Sequence, residues 1–225
     1  MCGRYALHAH PDVIALQFGL AQIANFAPRY NIAPSSDVLV VREEGERGRH
    51  ADLCRWGLIP AWAKDPAIGN KLANARGETV AEKPSFRNAF RRGRCLVPAS
   101  GFYEWQAVAG RKQPYYIRPK DDGLFGLAGI SEVWNGPQGP LRTVSLITTE
   151  PNQLMRGIHD RMPVIVPPAD YAAWLDPDQR DPAKLGEFIR AYRAERMQAC
   201  PVDRAVSNAR NQGPELIRPL ERGVE

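Results

Sequence analysis

Apolar residues in this chain come in short runs, alternating or continuous, with glycine and proline between them. Runs of about four to eight residues bounded by turn residues read as strands. Strands are therefore predicted over residues 3–7, 37–42, 51–56, 94–98, 101–105, 115–118, 124–133, 143–148 and 163–166, with a last one at 202–206. Residues 28–34, bounded by Pro28 and Pro34, read as extended, because a proline disfavours the α region in the residue before it. Within 101–105, alternation sets Phe102 and Glu104 on one face and Tyr103 and Trp105 on the other.

Helical patterning is sparser. His10-Pro11-Asp12 has helix-start chemistry, with Pro11 in the first turn and Ile14 and Phe18 on one face. Short helices are predicted over residues 84–90 and 170–175. Asp181-Pro182 caps a further helix, and Leu185, Phe188, Ile189 and Tyr192 form an apolar stripe that reads as core. Residues 43–49 mix charges with glycines and read as an exposed hairpin loop, and 70–78 read as an irregular polar loop. Many strands with interspersed short helices, and neither repeats nor a low-complexity linker, predict an α+β fold. One domain is expected over residues 1–225, with roughly the last 20 residues peripheral to it.

The composition narrows this little. A chain of 225 residues with 44% hydrophobic and 24% charged residues is ordinary globular material, long enough to bury a core. Its apolar runs all fall well short of a membrane-spanning length, and no basic-then-apolar leader opens it, so neither a membrane span nor a secretory signal is predicted. Cys2, Cys54, Cys95 and Cys200 are scattered without C-x-x-C spacing. That pattern predicts a cytoplasmic protein with reduced thiols, no metal site and no cofactor. The net charge of +5 permits an anionic partner without demanding one.

Candidate chemistry starts at Cys2, directly after Met1. Once the initiator methionine is removed, Cys2 carries an α-amine of pKa about 7.7–8.0 and a thiol of about 8.5 on one carbon skeleton. Such a pair captures an aldehyde twice, as an imine and then as a thiazolidine. The alternative is an ordinary early residue. Glu104, flanked by aromatics, is either a desolvated proton-transfer group or a solvent-facing strand residue. Asn74 is either a site residue or a turn asparagine, and His159, in a loop beside a charged pair, is either catalytic or structural. Trp62 and Arg76, with Arg4, Arg87 and Arg161, offer the stacking and phosphate contacts of a single-strand nucleic acid groove. The same residues are common at ordinary surfaces, and spacing alone does not assemble them.

Seven stretches together carry a resemblance. They are Met1-Cys2-Gly3-Arg4, Tyr30-Asn31-Ile32-Ala33-Pro34, Trp56-Gly57-Leu58-Ile59-Pro60, Asn74-Ala75-Arg76, Arg94-Cys95-Leu96-Val97-Pro98, Gly101-Phe102-Tyr103-Glu104-Trp105 and Ile158-His159-Asp160-Arg161-Met162-Pro163. In that order they resemble the SRAP family of abasic-site processing proteins. The resemblance implies one α+β domain with a curved, mostly antiparallel β core, flanking short helices and a basic groove for single-stranded DNA.

It also implies a reaction. Cys2, freed of Met1, would form a thiazolidine with the ring-opened abasic sugar, shielding the lesion in the DNA damage and SOS responses. Crosslink reversal and weak lyase activity would accompany this. Asn74 would position the terminal cysteine and the sugar, Glu104 would assist proton transfers, and His159 would act as acid or base at the sugar. DNA contacts would fall on Arg4, Asn31, Trp62, Arg76, Arg87, Thr148 and Arg161. The partner implied is abasic single-stranded DNA, including that at single-strand/double-strand junctions, bound by a monomer that joins the nucleoid when on DNA. Two other readings stand beside this one. Cys2 could serve an N-terminal-nucleophile thiol peptidase or amidohydrolase that also removes Met1, or be incidental to a plain DNA-binding module.

Overall fold

In the computed structural model, which describes residues 2–121 and 123–220, the start signal at His10 works as the sequence predicts. His10 Nδ1 accepts the Asp12 N–H at 3.3 Å, and helix α1 (Pro11–Phe18) runs on to Gly19, whose left-handed φ of 66° lets it cap the carbonyls of Ala15 and Leu16. Ile14 and Phe18 are the buried face.

The strands fall into two sheets. Ahead of and after α1 come β1 (Tyr5–Leu7), β2 (Arg29–Ile32), β3 (Asp37–Glu44), β4 (Gly48–Trp56) and β5 (Asn74–Arg76). Helix α2 (Arg87–Arg92) precedes β6 (Arg94–Ala99), β7 (Gly101–Val108), β8 (Arg111–Pro119), β9 (Phe125–Gly136) and β10 (Gly139–Thr149). Next are β11 (Met162–Pro163), β12 (Ile165–Val166), α3 (Tyr171–Leu175), α4 (Pro182–Gly186) and β13 (Met197–Pro201). The smaller sheet has the order β13-β8-β7-β1-β2 and is antiparallel. The larger runs β11-β10-β4-β3-β6-β9-β12, and β9 also pairs with β10. That extra pairing closes β10, β4, β3, β6 and β9 into a barrel-like ring, which removes exposed edges. The fold is the expected mostly antiparallel α+β arrangement, apart from parallel pairings of β10 with β4 and β5.

Burial follows the pleat. Phe102 and Glu104 of β7 face the main core, which also takes Cys2, Tyr5, Trp56 and Phe125. Tyr103 faces away, onto a second small core with Ala6, Tyr116, Val202, Val206 and Leu216. Val206 and Leu216 come from the tail expected at the periphery, yet both are buried, so that segment packs as part of the fold.

Local expectations shift at several places. Residues 43–49 are mostly strand: β3 and β4 run on to Glu44 and Gly48 because Arg49 and Glu43 pair across them at 3.0 Å and Arg42 is buried against Asp52 and Glu44. Residues 74–76 form a strand, since β10 supplies partners at Leu146, Ile147 and Thr148. The strand expected over 163–166 divides: Pro163 pairs with Thr148 of β10 and Ile165 with Leu127 of β9. The last strand lies at 197–201, where β8 offers an edge, and residues 204–207 coil into a short 3₁₀ turn. The apolar stripe beginning at Leu185 outlasts its helix, which ends at Gly186, and Phe188 turns in against the Trp174 ring at 5.7 Å. No helix among the described residues is long and apolar enough to cross a membrane.

Candidate active site

Strand β1 lies against β7, with Tyr5 opposite Phe102 and the Tyr103 N–H donating to the Arg4 carbonyl at 2.9 Å. This register brings Cys2, just ahead of β1, beside the Glu104 carboxyl, and both are buried. Burial pushes the Cys2 thiol up, the neighbouring Glu104 charge adds to that, and the Arg4 N–H opposes it. Burial likewise pushes the Glu104 carboxyl up to about 7. A carboxyl poised there exchanges protons readily at neutral pH. Of the two sequence readings of Glu104, the desolvated one describes its surroundings.

His159 follows a 3₁₀ turn (Met155–Gly157), with its N–H on the Met155 carbonyl at 2.8 Å. Its Nε2 is 3.7 Å from Glu104 Oε2, close enough for charge on one to act on the other but longer than a hydrogen bond. Its Nδ1 accepts the Arg161 N–H at 3.0 Å and also lies 2.9 Å from Asp160 Oδ1. These two Nδ1 contacts exclude each other, because Nδ1 accepts from Arg161 only without a proton and donates to Asp160 only with one. Burial lowers the His159 pKa, which favours the neutral ring, and the tautomer that accepts the Arg161 N–H carries its proton on Nε2. Gln106 ties the histidine loop to β7 by donating to the Gly157 carbonyl at 2.6 Å.

Asn74 sits on β5, half-buried, and its Oδ1 is buried with no hydrogen-bond partner among the described residues. Trp56 connects this strand to β1: its Nε1 donates to the Ala73 carbonyl at 2.9 Å while its ring meets the Tyr5 ring edge-on at 5.5 Å. Met1, whose removal the predicted chemistry requires, lies outside the described residues.

Among the expected DNA contacts, Arg161 meets Thr148 directly and Arg4 meets Asn31. Trp62 is 60% exposed, on a loop pinned by Trp134 Nε1 donating to the Ala63 carbonyl at 2.7 Å. Arg76 is exposed next to Glu78, whose carboxylate holds the Arg161 guanidinium with one contact at 2.9 Å. Arg161 also donates to the Thr148 carbonyl at 2.7 Å and to its hydroxyl at 3.2 Å. Thr148 itself is fully buried, so it seats Arg161 and has no surface to offer a nucleic acid. Asn31 is only 2% exposed and bonds inward. Arg4 Nη1 bonds to the Asn31 side chain. Arg87 is exposed on α2 in a small cleft with Arg91, Arg92 and Arg180.

Residue-type reasoning passed over Glu78, Gln106 and Trp56. Glu78 was visible as the one acid next to Asn74-Ala75-Arg76, but its partner Arg161 lies far along the chain and no local signal marks the pair. A cleft of about 670 Å³ lined by His8, Tyr116, Arg118, Cys200 and Ile217 contains none of Cys2, Asn74, Glu104 and His159. Among the described residues no group of three or more His, Cys, Asp or Glu side chains could hold a metal ion.

Comparison with known proteins decides the family. The model described as SOS response associated peptidase (SRAP) matches residues 1–209. The chain belongs to the SRAP family. Its SRAP relatives include the abasic site processing protein YoqW of Bacillus subtilis, 45% identical over 96% of this chain and 99% of that one. The abasic site processing protein YedK of Escherichia coli is 32% identical over 98% and 100% of the two chains. HMCES of Gallus gallus, another abasic site processing protein, is 34% identical over 88% of this chain and 68% of its own. A protein from Bacteroides thetaiotaomicron shares the SRAP fold with a TM-score of 0.87 at 26% identity, covering 97% of this chain and 99% of its own.

Proposed function

We propose that this protein captures abasic sites in single-stranded DNA covalently, through Cys2 after loss of Met1. The α-amine adds to the aldehyde of the ring-opened deoxyribose, and the carbinolamine loses water to give an imine. The Cys2 sulfur then adds to the imine carbon, its proton ends on the nitrogen, and a thiazolidine closes. Aldehyde and aminothiol together thus yield the crosslink and one water. Closure removes the imine, the species that promotes β-elimination and strand breakage.

The observation that carries this reading is the seating of Cys2 beside Glu104, with His159 3.7 Å from that carboxylate. A buried thiol held in its neutral form needs a base at the moment of closure, and Glu104, poised near 7, is that base. His159 returns a proton to the sugar oxygen during ring opening and during reversal. The Oδ1 of Asn74, without a hydrogen-bond partner among the described residues, is an acceptor for the terminal amine. Trp62 stacks on a base, and Arg76 and Arg161 meet phosphates.

The test is an SDS-stable adduct between mature protein and an abasic oligonucleotide. Wild type forms it, Cys2→Ala does not, and intact DNA gives none. An equal adduct from Cys2→Ala would refute the proposal. A thiol-peptidase reading of the same cysteine predicts instead turnover of peptides without DNA, which a peptide control in the same assay detects.

A further inference from the structure

Strand β1 has only three residues, between β7 and β2, and the buried Cys2 and the Arg4 backbone lie just ahead of it, so their exact placement depends on what fixes Arg4. The Arg4 side chain is what is held. Its Nη1 donates to Asn31 Oδ1 and to the Val206 carbonyl, each at 2.7 Å, and its guanidinium lies over the Trp105 ring, 5.8 Å from the centroid.

Asn31 completes the fastening. Its Nδ2 faces three carbonyls, those of Val206 at 3.1 Å, Asn208 at 3.0 Å and Asn211 at 3.0 Å. Gln212 grips the Asn31 backbone, donating to its carbonyl at 2.8 Å and accepting its N–H at 3.2 Å. Ser207 Oγ accepts the Trp105 indole N–H at 3.0 Å. Apart from the Arg4–Asn31 bond and the Arg4–Trp105 stack, these contacts join the first half of the chain to residues 206–212.

We infer that residues 204–212 form a clasp that seats the reactive N-terminus, with Arg4 and Asn31 as positioning residues and not DNA contacts. The inference rests on the proposed covalent capture. Arg4 is two positions from Cys2, and its N–H acts directly on the Cys2 sulfur. Fixing the Arg4 side chain from β2, β7 and the clasp therefore fixes where the amine and thiol of Cys2 stand relative to Glu104. Preorganisation of this kind governs rate at saturation, since a reacting group misplaced by about 1 Å costs on the order of 100-fold. A phosphate contact would govern affinity.

Two substitutions in the full chain separate these roles. Asn31→Asp keeps the shape but sets a carboxylate oxygen against three carbonyls. Gln212→Ala removes a side chain's grip on Asn31 and leaves the core intact, so it keeps the test valid where Asn31→Asp loses stability. Each variant is measured for its dissociation constant with an oligonucleotide carrying a non-reactive tetrahydrofuran abasic analogue, and for its first-order crosslinking rate at saturating abasic DNA. The expected result is a rate at saturation lowered about 10- to 100-fold, with the dissociation constant within about twofold of wild type. A weakened dissociation constant with the wild-type saturated rate would overturn the clasp, as would a folded Gln212→Ala protein unchanged in both. Failure of wild type itself to crosslink would instead refute the proposed function.

Discussion

His159 Nε2 stands 3.7 Å from Glu104 Oε2 while its Nδ1 accepts the Arg161 main-chain N–H at 3.0 Å. In the tautomer that accepts the Arg161 N–H, the neutral ring carries its proton on Nε2, the nitrogen nearer the carboxyl. Their environments move the proton affinities of the two groups in opposite directions, the carboxyl up to about 7 and the imidazole down.

The capture rate should follow the Glu104 carboxyl. Below its pKa of about 7 the base is protonated, so single-turnover crosslinking rises with pH through that value and levels only above about 8, where the α-amine is also free. Glu104→Gln should lower the rate about 100-fold or more and leave only the rise that belongs to the α-amine. A rate series from about pH 5.5 to 8.5 checks both.

Reversal should show the opposite slope. His159 is held below its usual value of 6.5, so the imidazolium acid is populated only on acidification. Release of abasic DNA from the purified crosslink should accelerate as pH falls below about 6.5, and His159→Ala should lose that acceleration. Gel densitometry of the decaying adduct measures it.

The buried carboxyl should also be visible in stability. Its folded pKa is raised from 4.5 to about 7, so the folded state binds this proton more tightly than the unfolded chain. The sign follows: stability falls as pH rises from about 4.5 to 7 and is then constant. Glu104→Gln should be more stable than wild type at pH 8, by on the order of 1–3 kcal/mol, with the gain shrinking toward pH 5. Melting temperatures at the two pH values decide it.

On the DNA face, Glu78 competes with phosphate for Arg161. Glu78→Gln should therefore tighten binding of intact single-stranded DNA about 3- to 10-fold at low salt, where Arg161→Ala weakens it. Trp62, 60% exposed, should cost about 1–3 kcal/mol of binding on replacement by Ala with little change in melting temperature. Fluorescence anisotropy across a salt series reads both, with a log–log slope of about −3 for roughly four neutralised phosphates.

How far the sequence reaches can be seen residue by residue. The face shared by Phe102 and Glu104 follows from pleat alternation alone, and the start of helix α1 from His10, Pro11 and Asp12. Cys2 stood out through the chemistry of a terminal aminothiol. What stayed hidden was contact at long range. Asn31 and Thr148, assigned to DNA through family resemblance, are buried and serve Arg4 and Arg161, because hydrogen bonds between distant parts of the chain leave no periodic trace. The strand at Asn74 reads as a loop in the sequence since its hydrogen-bond partners lie on β10, far along the chain. Asn74 therefore needed the fold before its buried acceptor, unpaired among the described residues, could be noticed.

The central claim is the two-nucleophile chemistry of Cys2, and intact mass spectrometry tests it most directly. Purified protein should lack Met1. After incubation with an abasic oligonucleotide it should appear at the sum of the two masses less one water, in a species that resists borohydride because no imine remains. A protein that retains Met1 yet crosslinks, or an adduct that borohydride reduces, would contradict the account.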